Sequence, residues 1–151
     1  MTGKNHVERS FRLYFDDAGT TARNLTVSLV PGSVSGGGYV FDEADMTGVS
    51  ETTYNFLKDR GSCEISARFH MDDTADTGST TVINGHNAGA GTGTLTLQWG
   101  ASGAAPVSTN PEWEGEYVLI NGGITLDGNK FVHNVTFKPT GATPPAWTTV
   151  S

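Results

Sequence analysis

The chain is 151 residues long, which suits one compact domain with a hydrophobic core of its own. Its 36% hydrophobic content and 20 glycines favour short strands joined by turns over long helices. The formal net charge of −7 disfavours tight binding to nucleic-acid phosphates, because such binding requires a cationic surface.

The sequence carries no signal for a membrane or a secretory route. No apolar run approaches the roughly 18 residues of a membrane span, and no basic-then-apolar leader opens the chain. We therefore expect a protein made in the cytoplasm without a signal peptide and with no membrane partner. The single cysteine, Cys63, excludes an internal disulfide and is expected to be a small buried hydrophobe.

The first part of the chain predicts an arm followed by a hairpin. Residues 1–8 are polar and predict a flexible arm. Alternation of apolar and polar residues then predicts two strands, separated by a turn-rich cluster at residues 16–19. The apolar face of the first strand consists of Phe11, Leu13 and Phe15, and that of the second of Leu25, Val27 and Leu29.

Residues 31–50 are predicted to form a long loop. The three glycines at 36–38 do not suit the interior of a regular element, yet Tyr39, Val40 and Phe41 follow at once. Loops of this length are uncommon in compact domains and are usually functional or disordered. The three apolar side chains therefore either fold back on their own core or pack against another subunit.

Residues 45–73 contain the clearest strand of the chain. A turn at 45–48 precedes a predicted short helix, which Ser50 would cap and Gly61 would end. The strand that follows has one apolar and one polar face, as expected for a half-buried strand. Its apolar face consists of Cys63, Ile65, Ala67, Phe69 and Met71, and it ends in an acidic cluster of Asp72, Asp73 and Asp76.

Residues 74–90 do not decide between helix and loop. Several of their side chains would share one helical face, namely Ala75, Ser79, Val82, Ile83 and His86. The threonines and glycines between them, however, are poor helix formers.

The remaining segments predict further strands and turns, so that the fold as a whole is expected to be mainly β with one core. Strands are predicted around residues 95–99, 113–119 and 131–137. Residues 121–123 predict a tight turn or a bulge, and residues 127–128 predict a turn. Residues 139–151 are predicted to be an extended tail with Trp147 as its only anchor.

The acidic residues are distributed unevenly along the chain. Between Arg68 and Lys130 there is no lysine or arginine, but there are seven acidic residues. Glu112, Glu114 and Glu116 would share one side of a strand, opposite Trp113 and Tyr117. One interpretation of this row is a solvated outer face that discourages edge pairing.

Motifs that would carry chemistry are scarce. The four histidines have no metal-ligand spacing, and one cysteine does not make a zinc site. Asp72, Thr74 and Asp76 have the spacing of a calcium loop, but Thr77 stands where that loop needs glycine. No nucleophile elbow, P-loop or dinucleotide fingerprint is present. We therefore expect no enzyme, no cofactor, no catalytic residues and no metal.

The order of these features is similar to that of one protein family. The residues that carry the resemblance are 45–48, 56–61, 63–73, 95–99, 115–119, 135–137, 140–141 and Trp147. In this order they resemble the tail tube proteins of long-tailed bacteriophages (siphoviruses). The chain departs from the family in the few good helix formers of residues 74–90.

The resemblance implies a fold and a function. It implies one tail-tube-like domain over residues 1–151, a β-sandwich or partial barrel of two packed sheets with one short helix, an extended loop and terminal arms. It implies hexameric rings of this chain, stacked into a tube in the phage tail, with tape measure and terminator proteins as further partners. DNA would pass through the lumen only as non-specific cargo, and acidic lumen residues would keep phosphates from binding.

The same resemblance assigns candidate sites. The candidate lumen-facing acidic residues are Glu112, Glu114, Glu116, Asp72, Asp73 and Asp76, and the candidate inter-subunit residues are Tyr39, Val40, Phe41 and Trp147. Two other classes remain open. One is a capsid decoration or head–tail joining protein, and the other is a carbohydrate-binding module that stacks sugars on Trp99, Trp113 and Trp147.

Overall fold

Most strands of the protein belong to one antiparallel sheet. The structure is a computed structural model, which describes residues 6–89, 91–140 and 143–151. The strands are β1 (His6–Asp16), β2 (Ala22–Asn24), β3 (Ser35–Gly36), β4 (Val40–Asp45), β5 (Phe56–Ser62), β6 (Ile65–His70), β7 (Thr92–Ala101), β8 (Pro111–Asp127), β9 (Lys130–Pro139) and β10 (Ala146–Thr149). A 3₁₀ turn (Thr26–Ser28) and one helix, α1 (Ser79–Asn87), complete the described elements.

The main sheet has the strand order β2-β1-β7-β8-β9-β6-β3. β8 is 17 residues long and pairs with β7 through its first half. On its other edge, β8 pairs first with β10 and then with β9. β4 and β5 form a second, two-stranded sheet of their own. The predicted mainly β fold with two sheets and one short helix is confirmed.

The main sheet folds over on itself around a single core. Phe15 of β1 and Phe137 of β9 are separated by two strands in the sheet, yet their ring centroids lie 4.7 Å apart. The core side chains come from alternate positions of the strands, because successive residues of a strand point to opposite faces. They include Phe11, Leu13, Phe15, Ile65, Ala67, Phe69, Leu95, Leu97, Trp113, Tyr117, Leu119, Val135 and Phe137.

Helix α1 packs onto the inner face of β8 through the face that the sequence suggested. Its buried residues are Ser79, Val82, Ile83 and His86. Gly122 of β8 permits this approach, because a Cβ atom there would lie 2.8 Å from Cγ2 of Ile83. Tertiary packing thus stabilises the helix and compensates for the low helix propensity of its threonines and glycine.

The prediction of a second strand over Leu25, Val27 and Leu29 was wrong. β2 covers residues 22–24 and pairs with β1 as a hairpin, and the chain then makes the 3₁₀ turn. The physical reason is Thr26, whose Oγ1 accepts a hydrogen bond from the N–H of Leu13 at 2.9 Å. The hydroxyl of Thr26, and not a backbone carbonyl, therefore accepts the hydrogen bond from Leu13, and the strand pairing ends at Asn24.

The predictions of a helix after Ser50 and of a loop over residues 31–50 were also wrong. Residues 51–55 form no regular element, and residues 56–61 lie in β5, which pairs with β4 inside the supposed loop. The turn between the strands is held by Thr47, whose Oγ1 accepts a hydrogen bond from the N–H of Asn55 at 2.9 Å. Pairing between residues far apart in sequence thus overrides a local helix signal.

The structure also answers the predictions for the later turns and for the two ends of the chain. The register of β8 and β9 shifts between Leu119 and Asn121, so residues 121–123 follow a bulge and do not form a tight turn. The turn after Asp127 is confirmed. The predicted arm over residues 1–8 was wrong for its last three residues, because β1 begins at His6, and residues 1–5 lie outside the described residues. Of the predicted tail, residues 141–142 also lie outside the described residues. The last part of the tail is not free, because β10 pairs with β8.

Candidate assembly surfaces

The glutamates of β8 share the outer face of the sheet. Glu112, Glu114 and Glu116 alternate with side chains that point into the core, among them Trp113 and Tyr117. Their cross-strand neighbours on β7 are Gln98, Thr96 and Thr94.

The carboxylates of this row bind neutral donors. Nε2 of Gln98 donates a hydrogen bond to Glu112 at 2.7 Å, and the hydroxyl of Thr94 donates one to Glu116. Within the described part of the chain, none of the three glutamates forms a salt bridge. No cation among the described residues is therefore paired with the row. Its members differ in exposure, however, because Glu112 is only 3% exposed, whereas Glu114 faces solvent.

The acidic cluster after β6 occupies a different place. The N–H of Met71 donates a hydrogen bond to Phe131 at 3.2 Å, so Asp72 and Asp73 follow beside the far end of the β8–β9 hairpin. The N–H and hydroxyl of Thr74 both donate to Oδ1 of Asp72, which lowers the pKa of that carboxyl. Asp76 is exposed in the turn before α1.

The structure does not bring the two acidic groups together. The glutamates lie in the first half of β8, whereas Asp72 and Asp73 lie beside its last residues and Asp76 lies in a groove with Asp17 and Ala18. Within the described residues, no group of three or more histidine, cysteine, aspartate or glutamate side chains is arranged to hold a metal ion. The acidic residues thus lie on separate surfaces.

The predicted inter-subunit residues at 39–41 contact their own chain and remain partly exposed. The hydroxyl of Tyr39 donates a hydrogen bond to the carbonyl of Pro145 at 3.0 Å, and its ring lies edge-on to Trp113. Phe41 stacks on Tyr39 at 5.7 Å, and the ammonium of Lys58 lies 4.8 Å from the Phe41 centroid. Tyr39 and Phe41 therefore fold back on their own chain but remain about 40% exposed, and Val40 is 76% exposed.

Trp147 of β10 belongs to an aromatic cluster at the same end of the molecule. Its ring lies 5.3 Å from Trp99 and 5.1 Å from Trp113, and Phe11 in turn lies 5.3 Å from Trp99. Half of Trp147 is exposed, whereas Trp113 is buried. The cluster ties the C-terminal strand to the core.

A further group of exposed apolar side chains lies on the β4–β5 hairpin (residues 40–62), which we call the assembly hairpin. The exposed apolar side chains of this hairpin are Val40, Phe41, Met46, Val49, Tyr54, Phe56 and Leu57. Sequence reasoning assigned Tyr54, Phe56 and Leu57 to a helix and so missed the surface. The signal that could have found it is the pair of aromatic and β-branched segments that flank the turn at residues 45–48.

Several polar groups of the interior connect elements of the same chain. The indole N–H of Trp113 donates a hydrogen bond to the Tyr117 hydroxyl at 2.8 Å, which donates to the carbonyl of Cys63 at 3.0 Å. Nε2 of His86 lies 2.6 Å from the carbonyl of Asp16. These contacts join strands and helix within one body. Cys63 is buried, as expected.

Among known proteins, similarity to this chain is found in the fold and not in the sequence. No family profile matches the sequence, and no curated protein matches it. The structure is similar to a chain in the cryo-EM structure of the anti-feeding prophage baseplate, sixfold symmetrised. The match covers 100% of this chain and 99% of that chain, with a TM-score of 0.71 at 10% sequence identity. The likeness is one of fold. Within the described residues, no helix has the length and apolar character needed to cross a bilayer.

Proposed function

We propose that this chain is a structural, non-enzymatic subunit of a phage-type tail. More specifically, we propose that it is the major tail tube subunit, which assembles into hexameric rings that stack into a DNA-conducting tube. The observation that carries the proposal is the full-length fold match to a baseplate chain from a sixfold-symmetrised assembly. In the virion, tape measure and terminator proteins would be its further partners.

The assembly hairpin supports self-association independently of that likeness. A two-stranded hairpin is only marginally stable in water when nothing packs on it. Here the hairpin forms its own sheet and exposes side chains such as Phe56 and Leu57. Large exposed apolar side chains grouped on one element are typical of protein–protein contact sites. A neighbouring subunit would cover it.

The glutamate row supports a channel that DNA does not bind. Glu114 and Glu116 are the row members with solvent access, and sixfold repetition would turn them into rings of negative charge. Such rings repel phosphates, so DNA would slide past without binding. Glu112 is buried, and its carboxylate accepts a hydrogen bond from the side chain of Gln98.

Charge reversal tests the channel assignment. Glu114→Lys with Glu116→Lys should leave the fold intact and make assembled tubes bind duplex DNA, more tightly at low salt than at high salt. The control is Glu64→Lys with Val27→Lys, which adds positive charge at two exposed positions outside both the glutamate row and the assembly hairpin. Co-sedimentation of tubes with DNA is the measurement. If the β8 variant tubes bind no more DNA than the control tubes, the row does not line the channel.

Negative-stain electron microscopy of the purified chain tests the proposed function as a whole. Hexameric rings and tubes of stacked rings are expected. Trimers, or single rings that never stack, would instead indicate a capsid decoration or head–tail joining protein. A carbohydrate-binding module is disfavoured, because Trp113 is buried and only Trp147 among the three tryptophans is mostly accessible. Glycan binding by monomers would reverse that preference.

A further inference from the structure

The assembly hairpin joins the body at two points, one before β4 and one after β5. After β5 the chain enters the core at once, because Cys63 is buried. Before β4, the chain is paired with β6 as far as Gly36, and Gly37 and Gly38 follow with φ angles of 84° and 78°. A Cβ atom at either of these two glycines would have no described atom within 4 Å. Two such glycines leave the backbone free to pivot, so the direction of β4 depends on the next residue, Tyr39.

Tyr39 contacts the segment that leads into β10. Its hydroxyl donates a hydrogen bond to the carbonyl of Pro145 at 3.0 Å, and its ring lies edge-on to Trp113, with the ring centroids 6.0 Å apart. Trp147 of β10 packs against the same indole ring at 5.1 Å. We call Pro145 and β10 (residues 145–149) the clamp. The two contacts of Tyr39 thus connect the start of the hairpin to the clamp, one directly and the other through Trp113.

The clamp is attached to the body as an edge strand. Its backbone pairs with residues 111–114 of β8, and every side chain of β10 is exposed. Within the clamp only Pro145 is buried, and it lies so close to β8 that a Cβ atom at Gly115 would be 2.6 Å from its ring. An edge strand with few buried apolar contacts opens at a lower free energy than the strands of the core. The clamp can therefore open while the body stays folded.

We propose that the clamp fixes the direction of the assembly hairpin when it is docked on β8 and releases the hairpin when it opens. The inference rests on the proposed function and names the element that controls presentation of the hairpin to a neighbouring subunit. With the clamp open, the Tyr39 hydroxyl loses its acceptor, and Trp113 loses its contact with Trp147. The hairpin then pivots about Gly37 and Gly38.

Ring contacts extend this coupling into the hairpin. Phe41 of β4 stacks on Tyr39 at 5.7 Å, and both rings lie against Gly61 of β5, where a Cβ atom would be 2.9 Å from each ring. The direction of Tyr39 therefore sets the direction of both strands. Coupling between two sites is reciprocal, so the ordered hairpin also stabilises the docked clamp. The apparent affinity of a subunit contact that needs the fixed hairpin falls with the fraction of docked clamps.

Hydrogen–deuterium exchange of β10 in the free subunit tests the coupling from the side of the hairpin. Tyr39→Phe keeps the ring and removes the hydroxyl that donates to Pro145. Amides of β10 should then exchange about two- to tenfold faster, which is the change expected from the loss of one hydrogen bond. The control is Tyr54→Phe, which removes the hydroxyl of an exposed tyrosine of the hairpin. Unchanged exchange of β10, or an equal increase in the control, would overturn the proposal.

Distances between spin labels test the coupling from the side of the body. Labels are attached at Asp42→Cys in β4 and at Val27→Cys in the 3₁₀ turn, which are exposed positions, while the buried Cys63 stays unlabelled. Gly115→Ala displaces Pro145 and leaves the sequence of the hairpin unchanged. Electron–electron double resonance should show a narrow distance distribution in the labelled parent and a broader one in the Gly115→Ala variant.

Two further variants exclude a general loss of structure as the cause of the broadening. Gly122→Ala is the matched control on the same strand, because its Cβ atom would lie 2.8 Å from Ile83 of α1, and it should leave the distribution narrow. Trp147→Ala removes a ring from the clamp without adding an atom and should broaden the distribution. Variants of the clamp as narrow as the parent, a parent as broad as the variants, or equal broadening in the control would overturn the proposal.

Electron microscopy of the same variants separates this inference from the proposed function. If the wild type forms tubes, Gly115→Ala should need a higher subunit concentration to form them. Tubes of this variant at the wild-type concentration would show that the clamp does not control presentation of the hairpin. If the wild type forms no rings but Gly115→Ala still broadens the distance distribution, the clamp stands and the tail tube function fails.

Discussion

The main sheet and the assembly hairpin are both built from alternating strands, yet they differ in what covers their apolar side chains. In the main sheet, Phe69 and Phe137 are buried by strands of the same chain. In the hairpin, Phe56 and Leu57 are more than half exposed. The comparison shows that alternation along a strand determines which face of the sheet each side chain occupies. Whether that face is buried depends on what packs against it. For the hairpin, we propose that the packing partner is another subunit.

The largest expected difference between the two regions is in the response to truncation of a phenylalanine. Phe69→Ala should reduce the free energy of unfolding by about 3–5 kcal/mol, because it leaves a cavity in the core. Phe56→Ala, the matched change in the hairpin, should cost less than about 0.5 kcal/mol in the free subunit. Urea denaturation of both variants is the measurement. Similar losses in both would contradict the distinction between a buried body and an unpartnered hairpin.

A smaller effect is expected from removal of a tyrosine hydroxyl. Tyr117→Phe should cost about 1–3 kcal/mol, since it leaves the buried indole N–H of Trp113 and the carbonyl of Cys63 without their partner. Tyr54→Phe is the matched change in the hairpin, where the side chain is 76% exposed, and should be close to neutral. Denaturation midpoints of the two variants measure the difference. A neutral Tyr117→Phe would show that the interior network adds nothing to stability.

The smallest expected effect is a pH dependence of that same difference. Burial raises the pKa of Tyr117 above its usual value. The hydroxyl of Tyr117 therefore stays protonated in the fold at a pH where the unfolded chain ionises, and stability is lost as pH rises above about 10. Phenylalanine does not ionise, so the stability gap between wild type and Tyr117→Phe should narrow as the pH rises above about 10. A constant gap would mean that Tyr117 ionises equally in both states.

The elements that could be predicted from sequence are those whose signal is local. The strand over residues 65–70 was visible because its alternation is strict, and the face of α1 was visible in the spacing of Val82, Ile83 and His86. The segment after Ser50 was mispredicted as a helix because its structure depends on pairing with β4, more than ten residues away. Thr26 likewise replaced a strand with a turn through a side-chain contact that no periodicity encodes.

The candidate sites could be predicted only in part, for a related reason. Alternation placed Glu112, Glu114 and Glu116 on one face, but the burial of Glu112 depends on Gln98 and on β10. Ile124 and Leu126 continue the same alternation as the core and look identical to core residues in sequence. Only the end of α1 near Gly122 determines where the covered part of the strand stops.

The central claim is that the main sheet buries its apolar side chains within one subunit, whereas those of the assembly hairpin are buried only by another copy of the chain. Hydrogen–deuterium exchange of the free subunit and of the assembled form tests this claim most directly. Amides of β6 to β9 should be protected in both states, because their hydrogen bonds lie in a buried sheet. Amides of β4 and β5 should exchange rapidly in the free subunit and slowly after assembly. Equal protection of the hairpin in both states would contradict the account.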